Sequence, residues 1–114
     1  MTDRSAIGRK SRRKGSMAEL EITKLLQAQG YDARKGYQHD GKEVADVVGL
    51  PGIHIEVKRV EKLNLTDALR QAIRDARPGE LPAVFHRRNR ETWRVTMTLD
   101  HWLELYEKAL EDKG

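Results

Sequence analysis

Residues 44–58 read Val-Ala-Asp-Val-Val-Gly-Leu-Pro-Gly-Ile-His-Ile-Glu-Val-Lys. Two apolar, β-branched runs, 44–48 and 53–57, flank Gly49, Leu50, Pro51 and Gly52. Pro with Gly punctuates a turn, so the stretch predicts a β-hairpin. Side chains alternate along a strand, placing Ile53, Ile55 and Val57 on one face and His54, Glu56 and Lys58 on the other. If the hairpin is symmetric about Pro51, Asp46 lies opposite Glu56, with Cβ atoms roughly 4.5–5.5 Å apart. Two carboxylates and one ammonium then share one face of an apolar hairpin. That arrangement is costly unless something cationic sits between the carboxylates.

A divalent cation fits the description. Magnesium keeps several waters and is usually held by one or two carboxylates plus substrate phosphates. Lys58, two positions beyond Glu56, would orient an attacking water or stabilise charge on the attacked phosphate. The alternative is a surface ion-pair ladder, which is common and contributes little. Asp and Glu are depleted in strands, yet both sit mid-run here, which favours the metal site.

The pattern of Asp46, Glu56 and Lys58 across a hairpin resembles the PD-(D/E)xK nuclease motif, with Ala45 where that family often has proline. Residues 14–26, Lys-Gly-Ser-Met-Ala-Glu-Leu-Glu-Ile-Thr-Lys-Leu-Leu, are similar to the first helix of archaeal-type Holliday junction resolvases, which carries an acidic metal-site residue on its first turn. Glu19 matches that residue. The resemblance covers residues 14–60 well and the rest loosely. The segments 50–58 and 84–88 look closest to small resolvase-like nucleases of phages and prophages. Archaeal resolvases also carry a functional serine shortly before the aspartate, and no serine occurs here between Gly30 and Asp46.

At 114 residues the chain is expected to form one domain. No apolar run approaches a membrane span, and there are no cysteines, which excludes disulfides, thiolate catalysis and Cys-based zinc sites. The four histidines are scattered without ligand spacing, and the composition suits the cytosol; the resemblance implies the cytoplasm of a bacterial or phage-infected host cell. Of the net charge of +4, residues 1–16 carry a surplus of five, from Arg4, Arg9, Lys10, Arg12, Arg13 and Lys14 against Asp3. Positive charge is therefore concentrated at the amino terminus. Residues 1–13 read as a flexible basic arm, serving either phosphate contact or only solvation, ahead of a single domain at 14–114.

Ser16 reads as an N-cap completed by Glu19 in a capping box, opening a helix that runs to about Gln29, with Gly30 at C′. Ala18, Ile22, Leu25 and Leu26 make its apolar stripe, with Glu19 at the edge. Glu19 then either caps its own helix or faces the sheet as a metal-site residue. A first strand is expected at 31–37, followed by a polar loop in which Tyr37, Gln38 and Lys42 are candidate DNA contacts. A second helix at 65–77 carries the stripe Leu65, Leu69, Ala72, Ile73 and Ala76. Arg70, Arg74 and Arg77 lie on its flank, either gripping phosphates or merely solvated. Gln71 matches a glutamine of some related nucleases, although periodicity points it away from the apolar stripe. A second hairpin, 81–86 with 92–98, brings Arg87, Arg88, Arg90 and Arg94 together near its tip. From Leu99 the chain is helical, with Trp102, Leu103, Tyr106 and Leu110 on its apolar face.

The resemblance implies a restriction-endonuclease-like α/β core, a mixed central β-sheet flanked by helices. It implies a Mg²⁺-dependent endodeoxyribonuclease, with Mn²⁺ as substitute, cutting four-way junctions or other branched DNA as a homodimer. Glu19, Asp46, Glu56 and Lys58 are the expected catalytic residues, and Asp46, Glu56, the Val57 carbonyl and Glu19 the expected metal ligands. Arg12, Arg13, Lys14, Gln38, Lys42, Arg87, Arg88 and Arg90 are the expected DNA contacts. The alternatives are a same-fold nuclease acting on flaps, nicks, single strands or duplex, and a non-catalytic nucleic-acid-binding protein.

Overall fold

A computed structural model describes residues 4–36 and 45–112, with side chains from residue 14 onward. The hairpin read from the sequence lies at its centre. Strands β2 (Val47–Val48) and β3 (Ile53–Arg59) pair antiparallel with Val47 opposite Ile55, the register that symmetry about Pro51 requires. Gly49 sits at φ +106°, where its lack of a Cβ also lets the chain pass against the Asp32 carbonyl.

Among the described residues the sheet has five strands in the order β1-β2-β3-β4-β5, with β1 at Arg34–Lys35, β4 at Leu81–Arg87 and β5 at Arg94–Thr96. Of these strands β3 and β4 run parallel, and the helix between them, α2 (Leu65–Asp75), supplies the crossover that parallel strands need. The sheet is therefore mixed and flanked by helices, as the α/β reading requires. Of the expected 31–37 strand, only Arg34 and Lys35 among the described residues pair with β2, and Tyr37 lies outside them.

The first helix, α1, spans Arg4–Ala28, so Ser16 lies inside it and is not an N-cap. The helix also passes through the boundary expected at residue 14. Arg and Lys are good helix formers, and nothing in 4–13 breaks a helix apart from the tolerated Gly8. Gly30 follows the helix at φ +97°, with Tyr31 N–H donating to the Leu26 carbonyl.

The two faces of β3 are both covered. Ile55 and Val57 join Ala18, Ile22, Ala33 and Val47 in the core beneath α1. The opposite face meets α2 through Ala68, Ala72 and Val84. On α1 the buried positions are Ala18, Ile22 and Thr23, whereas Leu25 is 49% exposed. The stripe is rotated toward Thr23, and Glu19 keeps its expected place at the edge of the stripe, beside the sheet. On α2, Ala68 replaces the expected Ile73, which is 44% exposed. Asn64 caps α2 by accepting from the Asp67 N–H at 3.1 Å, and the helix stops at Asp75, just ahead of Pro78 and Gly79.

The last helix, α3 (Leu99–Glu111), has no buried residue. Its expected apolar face exists, with Trp102 and Tyr106 stacked at 5.3 Å, but the described residues leave it uncovered. No helix among the described residues is long and apolar enough to cross a membrane.

Candidate active site

The site grows from the hairpin register. Asp46 sits just before β2, its N–H donating to the Ile55 carbonyl at 2.9 Å. Its Oδ2 accepts the Val57 N–H at 2.8 Å. The N–H and C=O of one strand residue leave on the same edge, so the Val57 carbonyl points to the edge where Asp46 stands. The other side of Asp46 faces Glu56, near enough for the Glu56 charge to act on the Asp46 carboxyl. The expected convergence of Asp46 and Glu56 is thus present.

Glu56 is 2% exposed, and its Oε1 accepts from Nε2 of His54 at 2.8 Å. His54 is equally buried, one strand repeat away on the same face. Burial by itself would lower the His54 pKa, but the hydrogen bond and charge of Glu56 outweigh it and raise the pKa. Sequence spacing hid this role, because His54 matches no ligand pattern; its alternation with Glu56 was the available signal.

Asp46 is itself perturbed, its pKa pushed up to about 7 from the ordinary 3.8. Burial is the largest cause, followed by the negative charge of Glu56, while the Val57 N–H opposes both. The Asp46 carboxyl consequently holds a proton near neutrality.

Lys58 lies two residues beyond Glu56 on the same face, where its Nζ donates to Oε1 of Gln71 on α2 at 3.3 Å. Gln71 therefore belongs to the site, contrary to what its periodicity suggested. The helix axis sets a flank residue of α2, not only its apolar stripe, over the end of β3. Glu19 approaches from α1 and adds to the negative potential at Asp46. It is tied at 3.7 Å to Lys35, which also donates to Ser16 Oγ at 2.7 Å. Glu19 thus stands at the edge of the cluster with a cation of its own. Among the described residues no group of three or more His, Cys, Asp or Glu side chains is placed to hold a metal ion. The pair Asp46 and Glu56, with the Val57 carbonyl beside them, is the donor set present.

Of the expected DNA contacts, Arg87 is committed elsewhere. Its guanidinium donates to Glu21 Oε2 at 3.0 Å and lies 5.3 Å from the Trp93 ring, while Trp93 Nε1 donates to Glu21 Oε1 at 2.7 Å. Burial opposes ionisation of Glu21, but the Arg87 and Trp93 hydrogen bonds outweigh it and lower the pKa. Strand alternation sends Arg87 to the α1 face, away from Lys58. Arg88 and Arg90 are exposed at the β4–β5 turn, where Arg90 adopts φ +63°. Lys14 is partly buried within α1. Gln38 and Lys42, with Tyr37, lie outside the described residues, as do the side chains of Arg12 and Arg13.

Comparison with protein-family models, with curated proteins and with solved structures finds no match.

Proposed function

We propose that this protein is a metal-dependent DNA endonuclease that hydrolyses phosphodiester bonds in branched DNA, in the manner of Holliday junction resolvases. The observation that carries the reading is the paired burial of Asp46 and Glu56 beside Lys58. A carboxyl driven to a pKa of about 7 by burial and, second, by a neighbouring carboxylate is a group that a cation would recharge. Asp46, Glu56 and the Val57 carbonyl would hold Mg²⁺ or Mn²⁺, which would supply Lewis-acid stabilisation of charge at the attacked phosphate.

The protein's own residues have separable tasks. Asp46, once its proton is displaced, and Glu56 would concentrate negative charge where β2 begins beside the central strand β3. His54 anchors one Glu56 oxygen and so fixes the orientation of that carboxylate. Lys58 positions the attacking water and opposes charge accumulating on the phosphate, and Gln71 holds the ammonium in place. Glu19 completes the acidic cluster from α1. Each chain offers one such site, so cutting two strands of a junction calls for two copies, and we take the working unit to be a cytoplasmic homodimer.

The test is to incubate the protein with labelled four-way junction, flap and linear duplex, with Mg²⁺, with Mn²⁺ and with chelator. Junction cleavage that needs the cation and disappears in Glu56→Gln is the expected result. Equal cleavage of all three substrates would remove junction preference while keeping the nuclease. Cleavage of none with either cation would overturn the enzyme reading and leave a nucleic-acid-binding protein.

A further inference from the structure

The face of the sheet that carries Lys58 continues beyond the site described above. Lys58 pairs with His86 across β3 and β4, and His86 pairs with Arg94 across β4 and β5. Directly paired residues share a face, so the three form one row across the strands. At about 4.8 Å per strand the row extends roughly 10 Å from Lys58, two to three nucleotides at about 3.4 Å of rise each.

The row ends in an open pocket of about 190 Å³. Leu63 and Leu65 form its apolar wall, and His86, Arg88 and Arg94 its basic one, with Glu91 at the rim. Among the described residues neither the Arg88 nor the Arg94 side chain has an ion-pair partner, and both residues are exposed. Arg87 also borders the pocket, but its charge is met by Glu21. The first turn of α2 begins at Leu65, bringing the positive end of that helix to the pocket wall, with Asp67 partly offsetting it. His86 donates to or accepts from Thr96 Oγ1 at 2.8 Å. Burial first, and the Arg94 charge second, lower the His86 pKa. An apolar wall beside two unpaired guanidinium groups focuses their positive potential toward an anion.

We propose that this pocket holds a backbone phosphate of the nucleic-acid strand being cut, with Arg88 and Arg94 on the phosphate oxygens and the sugar against Leu63 and Leu65. The inference rests on the nuclease reading and extends it. The strand crosses the sheet along the line from Lys58 to Arg94, so the subsite sets its direction through the site. Glu91 is the opposing charge, and its removal strengthens the subsite.

Anisotropy of labelled linear duplex and four-way junction, measured in chelator over a range of salt, tests this without cleavage. Arg94→Ala and Arg88→Ala are each expected to weaken binding several-fold and to reduce the salt slope by about one. Arg94→Lys restores the slope, and Glu91→Gln tightens binding. That opposite sign would not arise from misfolding, and thermal melts report the fold of each variant. Unchanged slopes in both arginine variants, or weaker binding by Glu91→Gln, overturn the subsite. If the wild type still cuts junction with Mg²⁺, that failure leaves the nuclease reading standing; a wild type that neither binds nor cuts refutes both.

Discussion

The protonation of Asp46 makes folding stability a reporter of the acidic pair, independent of catalysis. In the unfolded chain Asp46 titrates near 3.8, and in the folded protein near 7. Between those values the folded state holds a proton that the unfolded state has released. Stability therefore falls as pH rises, by at most about 1.4 kcal/mol per unit. Below about 4 and above about 7 this contribution is flat. The full span is at most about 4 kcal/mol, less what solvent at the partly exposed carboxyl screens. His54, whose pKa is also raised, adds a loss of the same sign as pH rises through its folded value.

Asp46→Asn separates the two. The amide oxygen still accepts from the Val57 N–H and the amide nitrogen donates to Glu56, so the geometry survives without the charge. Urea unfolding at about pH 5 and about pH 8 is expected to show wild type losing stability between them and Asp46→Asn losing much less. At about pH 8 the variant should be the more stable protein. Mg²⁺ should stabilise the wild type at about pH 8 more than at about pH 5, because cation and proton compete for the same carboxyls. A cation at a hundred times its dissociation constant contributes about 2.7 kcal/mol. Equal wild-type stability at both pH values, or the same pH slope in Asp46→Asn, would refute the buried-pair reasoning.

Three further predictions follow from the side-chain contacts. Glu21→Ala strands the Arg87 guanidinium, 11% exposed, and the Trp93 indole N–H, and should cost about 1–3 kcal/mol in urea unfolding with the m-value unchanged. Lys58→Ala should leave junction affinity in chelator nearly intact while abolishing cutting. Gln71→Ala, which only frees the ammonium, should slow single-turnover cleavage with little change in affinity; loss of binding in Lys58→Ala would make Lys58 a phosphate contact instead.

The sequence alone determined the local geometry of the hairpin. A two-residue side-chain period and a Pro-Gly turn suffice to set Val47 against Ile55, which brings Asp46, one residue earlier, toward the Glu56 end of β3. The Gly30 stop and the start of α3 at Leu99 follow from equally local chemistry. Tertiary structure decided everything that depends on how elements lean on one another. Gln71 reaches Lys58 because α2 crosses over the end of β3, and α1 buries Thr23 instead of Leu25. Arg87 leaves the expected DNA surface because a glutamate 66 residues earlier in the chain waits on the other face of the sheet. Periodicity records which face of an element is apolar; which neighbour meets its flanks is set by packing between distant segments, and a one-dimensional pattern carries no trace of that.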